Sequence, residues 1–117
     1  YAEPHGGLLL AAVNGNDAGV AGIRQFRDGD CELKRMFVRA EYRGLGIGQR
    51  LLTASVELAR RLGYAAIKLD TADFMAAAIR LYQAHGFVEI PAYRFNPHDE
   101  ARYFELKLRR PEPFSRS

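Results

Sequence analysis

The most informative part of the sequence is Arg43-Gly44-Leu45-Gly46-Ile47-Gly48, which lies between an apolar-rich run (33–38) and a segment with helical periodicity (49–62). Glycines at a strand-to-helix turn let the backbone come close to a ligand, because no Cβ intervenes. Such a turn directs unpaired N–H groups and the positive end of a helix dipole to one point, which favours a phosphate or pyrophosphate. Arg43 adds a permanent positive charge beside this predicted anion site.

Two common phosphate-binding patterns do not match this stretch. Read from Gly44, the dinucleotide fingerprint G-x-G-x-x-G needs a third glycine at residue 49, which is Gln, and a P-loop needs G-K-[ST]. The pattern that fits is R-x-x-G-x-G, formed by Arg43, Gly46 and Gly48. It resembles the pyrophosphate-binding signature of the GNAT superfamily, the acetyl-CoA-dependent N-acyltransferases. Taken alone, it also fits a glycine-rich helix entry without a ligand.

A second segment, 78–87, supports the resemblance. Its sequence AIRLYQAHGF is similar to the superfamily element A-x-x-L-Y-x-x-x-G-F, in which a helix carries the Tyr and ends at the Gly before a strand. Four residues are predicted to share one helical face: Phe74, Ala78, Leu81 and Tyr82. Gly86 is placed as the glycine that ends this helix. Tyr82 alone would indicate a core aromatic residue, but the two motifs in this order favour the family.

The composition is that of one ordinary globular domain. The chain has 117 residues, 48% of them hydrophobic and 26% charged, and a net charge of +3 with scattered basic residues. We therefore expect a single domain over 1–117, a cytoplasmic location, and neither a membrane nor a nucleic-acid partner. The single Cys31 suits a reducing compartment and is interpreted as a strand residue. The basic cluster of Arg109, Arg110 and Arg116 is interpreted as part of a solvated, flexible tail.

The sequence predicts an α/β (α+β) domain. Strands are predicted at 7–13, 19–27, 31–39, 65–70, 87–90 and 102–108, and helices at 48–62 and 74–85. Asn14-Gly15 and Asp28-Gly29 are predicted turns, and Asp73 or Thr71 is the predicted N-cap of the second helix. A long loop is expected at 91–101 and a frayed tail at 111–117.

The resemblance implies a mixed, mostly antiparallel central sheet flanked by helices, without the strand and helices that usually begin a GNAT domain. Those missing helices normally form a wall of the acceptor site. Three explanations stay open: a trimmed sequence, a disordered N-terminus left out of it, or a second chain, as in a homodimer, that supplies the wall.

The resemblance also implies a coenzyme site. The turn of Gly44, Leu45, Gly46, Ile47 and Gly48 would hold the pyrophosphate of acetyl-CoA, and the backbone of Phe37 and Val38 would pair with its pantetheine arm. Tyr82 aligns with the Tyr that protonates the coenzyme sulfur, and a phenol pKa of ~10 is close enough to the thiol's ~8.5 for proton donation. Met75 stands where many relatives carry an Asn that touches the coenzyme, so binding would rest more on the glycine turn. No metal is implied.

Two carboxylates are candidates for the acceptor side. Glu32 falls where some members carry a catalytic Glu, and it is the predicted general base, because its strand enters the glycine turn and should run past the thioester. It fits a salt-bridged strand residue near Lys34 and Arg35 equally well. A β-bulge near the turn would redirect every side chain of that strand. Bulk water is the alternative base. Asp70 is either an acceptor-site acid or a cap of the next helix, and the cap is the preferred interpretation.

The acceptor itself is poorly determined by sequence. The residues predicted to line its pocket are Tyr93, Arg94, Asn96, Arg102, Tyr103 and Glu105. Their mixed charge suits a small zwitterion such as an amino acid. The predicted function is N-acetylation of a primary amine on a small molecule, as in a bacterial small-molecule subgroup. A protein N-terminal or lysine acetyltransferase, an inactive coenzyme A sensor and a structural domain without a nucleotide are the alternatives.

Overall fold

The computed structural model describes residues 6–27, 29–94 and 100–108 of the chain. Within these ranges six strands form one sheet: β1 (Gly7–Val13), β2 (Asn16–Arg27), β3 (Asp30–Val38), β4 (Ala66–Ala72), β5 (Val88–Ile90) and β6 (Ala101–Lys107). The helices are a 3₁₀ turn at Ala40–Tyr42, α1 (Ile47–Arg61) and α2 (Ala76–Ala84). The strand order is β1-β2-β3-β4-β6-β5, and only β3 and β4 pair in parallel. The predicted mixed, mostly antiparallel sheet is confirmed.

The first hairpin follows from its two turn residues. Asn14 and Gly15 have φ values of 51° and 82°, the left-handed pair that a type I′ turn requires. This turn twists in the same sense as the strands, so β1 and β2 pair from Val13↔Asn16 to Gly7↔Ile23, with one register shift between Ala11 and Ala12. Asp28, the other predicted turn residue, lies outside the described ranges.

A bulge in β3 shapes the centre of the sheet. Val20 pairs with Phe37 and Gly22 with Lys34, so Arg35 and Met36 together lie opposite the single residue Ala21. Arg35 has a φ of 57°, a left-handed conformation that is uncommon for a residue other than glycine. A bulge bends its strand and increases the local twist. β3 pairs with β4 only from Asp30 to Glu32 and diverges from it in the stretch that contains the bulge.

The hydrophobic core lies between one face of the sheet and the two α-helices. The apolar side of α1 contributes Leu51, Leu52, Val56, Leu58 and Ala59, and the sheet contributes Ile23, Ile67, Leu69 and Phe104. α1 ends in a Schellman motif, because Gly63 N–H donates to Arg60 O and Tyr64 N–H donates to Ala59 O. Neither α-helix in the described ranges is long and apolar enough to cross a membrane.

The start of α2 differs from the sequence prediction. The helix begins at Ala76, its N-cap is Met75 rather than Asp73 or Thr71, and no side chain caps it. The reason is that β4 continues to Ala72, where Thr71 and Ala72 pair with β6. Asp70 is therefore a strand residue, and its interpretation as a helix cap is wrong. Phe74 precedes the helix and is 72% exposed, so it does not belong to the buried helical face either.

We expect Leu52→Ala to lower the free energy of unfolding by about 2–5 kcal/mol, because it removes a fully buried side chain and leaves a cavity beneath α1. Glu57→Ala, on the exposed side of the same helix, is the matched control and should stay within about 0.5 kcal/mol of the wild type. Urea denaturation followed by circular dichroism measures both. Equal effects of the two substitutions would contradict the packing described for α1.

Candidate active site

A cleft of about 600 Å³ opens where β3 and β4 diverge. Their last parallel pair is Glu32↔Lys68, and beyond it the two strands form opposite walls. One wall is 33–38 of β3 and the other is 69–71 of β4, and the remaining lining residues are Tyr42, Arg43, Gly44, Gly46, Ile47, Gly48, Met75, Ala77, Ala78, Leu81 and Tyr82. The two sequence motifs thus meet at one cleft. Leu45, by contrast, is 62% exposed and lies outside the lining.

The glycine turn leaves the N-terminus of α1 uncapped. Gly44 and Gly46 have φ values of 86° and 80°, and no side chain caps the helix. Arg50 N–H is the first helix amide with an acceptor, Gly46 O at 3.1 Å. In the described part of the chain, the amides of 47–49 before it donate to no backbone carbonyl. They point out of the positive end of α1 and form an anion site.

Arg43 is held at the mouth of this site by two contacts. Its Nε donates to Val38 O at 3.0 Å, and its guanidinium carbon lies 5.7 Å from the centre of the Phe37 ring. Arg43 lines the same cleft as the first residues of α1.

The sheet register determines which backbone groups of β3 face the cleft. Arg39 N–H donates to Ala18 O at 2.8 Å. Hydrogen-bonded and non-hydrogen-bonded pairs alternate along an antiparallel ladder, so the N–H and C=O of Phe37, two residues earlier, also point to β2. Those of Val38 then point away from β2. Of the two residues predicted for the pantetheine arm, Val38 has its backbone on the cleft side and Phe37 does not. Met36 also lines the cleft and was missed, because the bulge that contains it has no local sequence signal.

Tyr82 is a buried side chain of α2 that lines the cleft and is 6% exposed. Its ring packs against Phe87 and Phe104, with ring centres 5.8 and 6.5 Å apart. Within the described residues its hydroxyl makes no hydrogen bond. Burial, and secondarily the negative charge of Asp70, raise the pKa of the Tyr82 phenol. The phenol therefore keeps its proton at neutral pH and is a donor.

Glu32 is fully buried, and it lies in an ion-paired cluster rather than on the cleft wall. Its Oε2 accepts hydrogen bonds from Tyr93 Oη at 2.8 Å and from Arg94 Nη2 at 2.5 Å. Lys34 Nζ and Arg24 Nη2 each lie 3.6 Å from a carboxylate oxygen. The salt-bridged alternative thus describes the surroundings of Glu32. We call Glu32, Tyr93, Arg94 and Tyr103 the Glu32 cluster.

The predicted acceptor-pocket residues divide into two groups. Tyr93 and Tyr103 pack edge to face, 5.2 Å between ring centres, within the Glu32 cluster. Burial, and then the bond to Glu32, raise the pKa of Tyr93. Arg102 instead forms a two-point ion pair with Glu89, and Glu105 pairs with Lys68. Asn96 lies outside the described ranges.

Of the two predicted acids, Asp70 is the one that lines the cleft. Its side chain is 21% exposed, and its Oδ1 lies 3.5 Å from Lys34 Nζ. Lys34 also contacts Glu32, so it links the cleft to the Glu32 cluster. Across the described ranges there is no group of three or more metal-ligating side chains.

Comparisons with known proteins agree with this geometry. The sequence matches the acetyltransferase (GNAT) family over residues 1–87. It is 36% identical over 110 residues to an uncharacterized N-acetyltransferase of Schizosaccharomyces pombe, an alignment that covers 92% of this chain and 68% of that protein. The chain belongs to the GNAT acetyltransferase family, and the resemblance predicted from the two motifs is confirmed.

Two further proteins extend the comparison. The N-acetylaspartate synthetase of Rattus norvegicus is 36% identical over 89 residues, which cover 74% of this chain and 30% of that protein. A GNAT family acetyltransferase from Elizabethkingia anophelis, solved with acetyl-CoA bound, superposes with a TM-score of 0.76 at 21% identity. That superposition covers 89% of this chain and 77% of the other, and it confirms the fold.

Cys31 is expected to be chemically inert in the folded protein. It is fully buried, and burial, followed by the charge of Asp30, raises its pKa to about 12. A pKa that high leaves roughly one thiol in ten thousand ionised at pH 8, and only the thiolate reacts. We expect Ellman's reagent at pH 8 to titrate no thiol in the native protein and one equivalent in guanidinium chloride. Rapid labelling of the native protein would contradict this placement.

Proposed function

We propose that this domain transfers the acetyl group of acetyl-CoA to a primary amine on a small molecule. The observation that carries the proposal is the meeting of three elements at one cleft. These are the uncapped end of α1, the edge of β3 at Val38 that faces away from β2, and the Tyr82 hydroxyl. They supply, respectively, an anion site, backbone hydrogen-bonding groups and a proton donor.

The coenzyme would lie along this cleft. The amides at the start of α1 would bind the pyrophosphate, because they lack acceptors of their own and the helix dipole favours negative charge there. The pantetheine arm would pair with the Val38 N–H, because the Val38 carbonyl already accepts from Arg43 Nε. An N–H on the same edge would stabilise the oxyanion that develops when an amine attacks the thioester. This placement brings the sulfur toward Tyr82.

The size and charge of the cleft support a small-molecule acceptor. The cleft combines Asp70, which suits an ammonium group, with Lys34 and Arg35, which suit an anionic group. The name of the relative N-acetylaspartate synthetase specifies an acetylated amino acid as the product of that protein. Acetyl-CoA consumption over amino acids, polyamines and peptides tests the proposal. Turnover with peptides alone would indicate a protein acetyltransferase, and binding without turnover would indicate a sensor.

Gly48→Ala should weaken acetyl-CoA binding at least tenfold, about 1.4 kcal/mol, because its methyl group would stand at the cleft surface beside the phosphate site. The protein itself has room for it, since the nearest atoms to an added Cβ are Leu81 Cδ2 at 3.5 Å, then Met36 Cε and Val38 Cγ2 at 3.8 Å. Alanine also favours the helix by about 0.5–1 kcal/mol, so the melting temperature should not fall. Calorimetry that shows an unchanged Kd would refute the pyrophosphate site.

Tyr82→Phe should lower kcat by ~10²-fold with little change in the KM for acetyl-CoA, because it removes the proton donor and keeps the packed ring. The hydroxyl has no hydrogen-bond partner among the described residues, so the melting temperature should stay close to that of the wild type. Tyr64→Phe, which lies beyond the end of α1 and away from the cleft, is the matched control and should keep full kcat. A normal kcat for Tyr82→Phe, under conditions in which chemistry limits the rate, would leave Tyr82 a core residue.

A further inference from the structure

Asp70 is the one carboxylate among the described residues that line the cleft. It lies on β4 two residues beyond the last β3–β4 pair, so its side chain stands where the strands have separated. In the β4–β6 ladder its register partner is Tyr103. A carboxylate at this point can reach a substrate in the cleft without any movement of the sheet.

Asp70 also shares the cleft with the proton donor of the site. Tyr82 lines the same cleft, and the charge of Asp70 acts on the phenol. Lys34 Nζ, 3.5 Å from Asp70 Oδ1, is the cation facing it from β3, and Tyr93 is a further titratable group within its electrostatic reach. The contact with Lys34 is long, and 21% of the Asp70 side chain is exposed. The carboxylate is thus oriented but accessible.

Glu32, in contrast to Asp70, is enclosed by its hydrogen-bond partners. None of its surface is exposed, and Tyr93 and Arg94 both donate to its Oε2. Its other oxygen, Oε1, is also buried and has no hydrogen-bond partner among the described residues. Glu32 is also not among the residues that line the cleft. The geometry favours Glu32 as a fixed charge and Asp70 as the reactive one.

We propose that Asp70 accepts the proton of the attacking amine, an inference that rests on the acetyltransferase function proposed above. One proton moves from the ammonium nitrogen to an Asp70 carboxylate oxygen and is then released to water. The neutral nitrogen bonds to the thioester carbonyl carbon, and the carbon–sulfur bond breaks with its electron pair on sulfur. The Tyr82 phenol gives its proton to the sulfur, and the second proton that leaves the nitrogen returns through water to the Tyr82 phenolate, which restores both groups.

The test compares three variants of the 117-residue chain with an amine that the wild type acetylates. Asp70→Asn should lower kcat at pH 7 by ~10²-fold without changing the Kd for acetyl-CoA. The loss should shrink as the pH approaches the amine's own pKa of ~10, where deprotonation no longer needs a base. Asp73→Asn, the same change at an exposed residue outside the cleft lining, should match the wild type. Glu32→Gln should lower the melting temperature and keep the wild-type pH dependence.

Two results would overturn the inference while leaving the function intact. One is a normal kcat for Asp70→Asn at every pH with a raised acceptor KM, which would make Asp70 a binding residue only. The other is a pH-dependent recovery in Glu32→Gln that Asp70→Asn lacks, which would make Glu32 the base. A wild type that consumes no acetyl-CoA with any amine would instead overturn the proposed function itself, and this inference with it.

Discussion

The separation of β3 from β4 is the constraint on which the rest of the site depends. Two parallel neighbours stop pairing after Glu32↔Lys68, because the bulge at Arg35 and Met36 bends β3 away. Separation leaves the backbone of Val38 without a partner on β4 and opens the space that the start of α1 faces. One extra residue in a ladder thus produces both the cleft and the hydrogen-bonding groups that line it.

The uncapped helix end and the left-handed Arg35 are both locally unfavourable. A residue other than glycine at positive φ costs about 1–2 kcal/mol, and helix amides without acceptors stay unsatisfied until water or a ligand binds them. The core beneath α1 and the β1–β2 ladder supply the stability that keeps these features in place. Such strain is concentrated where a ligand is expected, which agrees with the position of the cleft.

Much of the fold could be predicted from local sequence. β1 has the predicted bounds, the Asn14-Gly15 turn forms, and α1 begins and ends within one residue of its prediction. The start of α2 was wrong because the polar residues at 71 and 73 resemble helix caps, whereas pairing with β6 extends β4 through 72. The bulge was not predictable either, since it depends on the β2–β3 register. That register keeps Glu32 out of the cleft and decides which backbone groups of β3 face the cleft.

The two carboxylates near the cleft are distinguished by what each would lose on taking a proton. Glu32 accepts two hydrogen bonds at one buried oxygen, and hydrogen bonds to a charged group are worth about 1.5–3 kcal/mol each. Protonating Glu32 would weaken those bonds and leave the cations around it without their counter-charge. Asp70 has a long contact to Lys34 and keeps part of its surface open to the cleft. The same polar face of the sheet can therefore hold one carboxylate as a structural charge and leave its neighbour available for proton transfer.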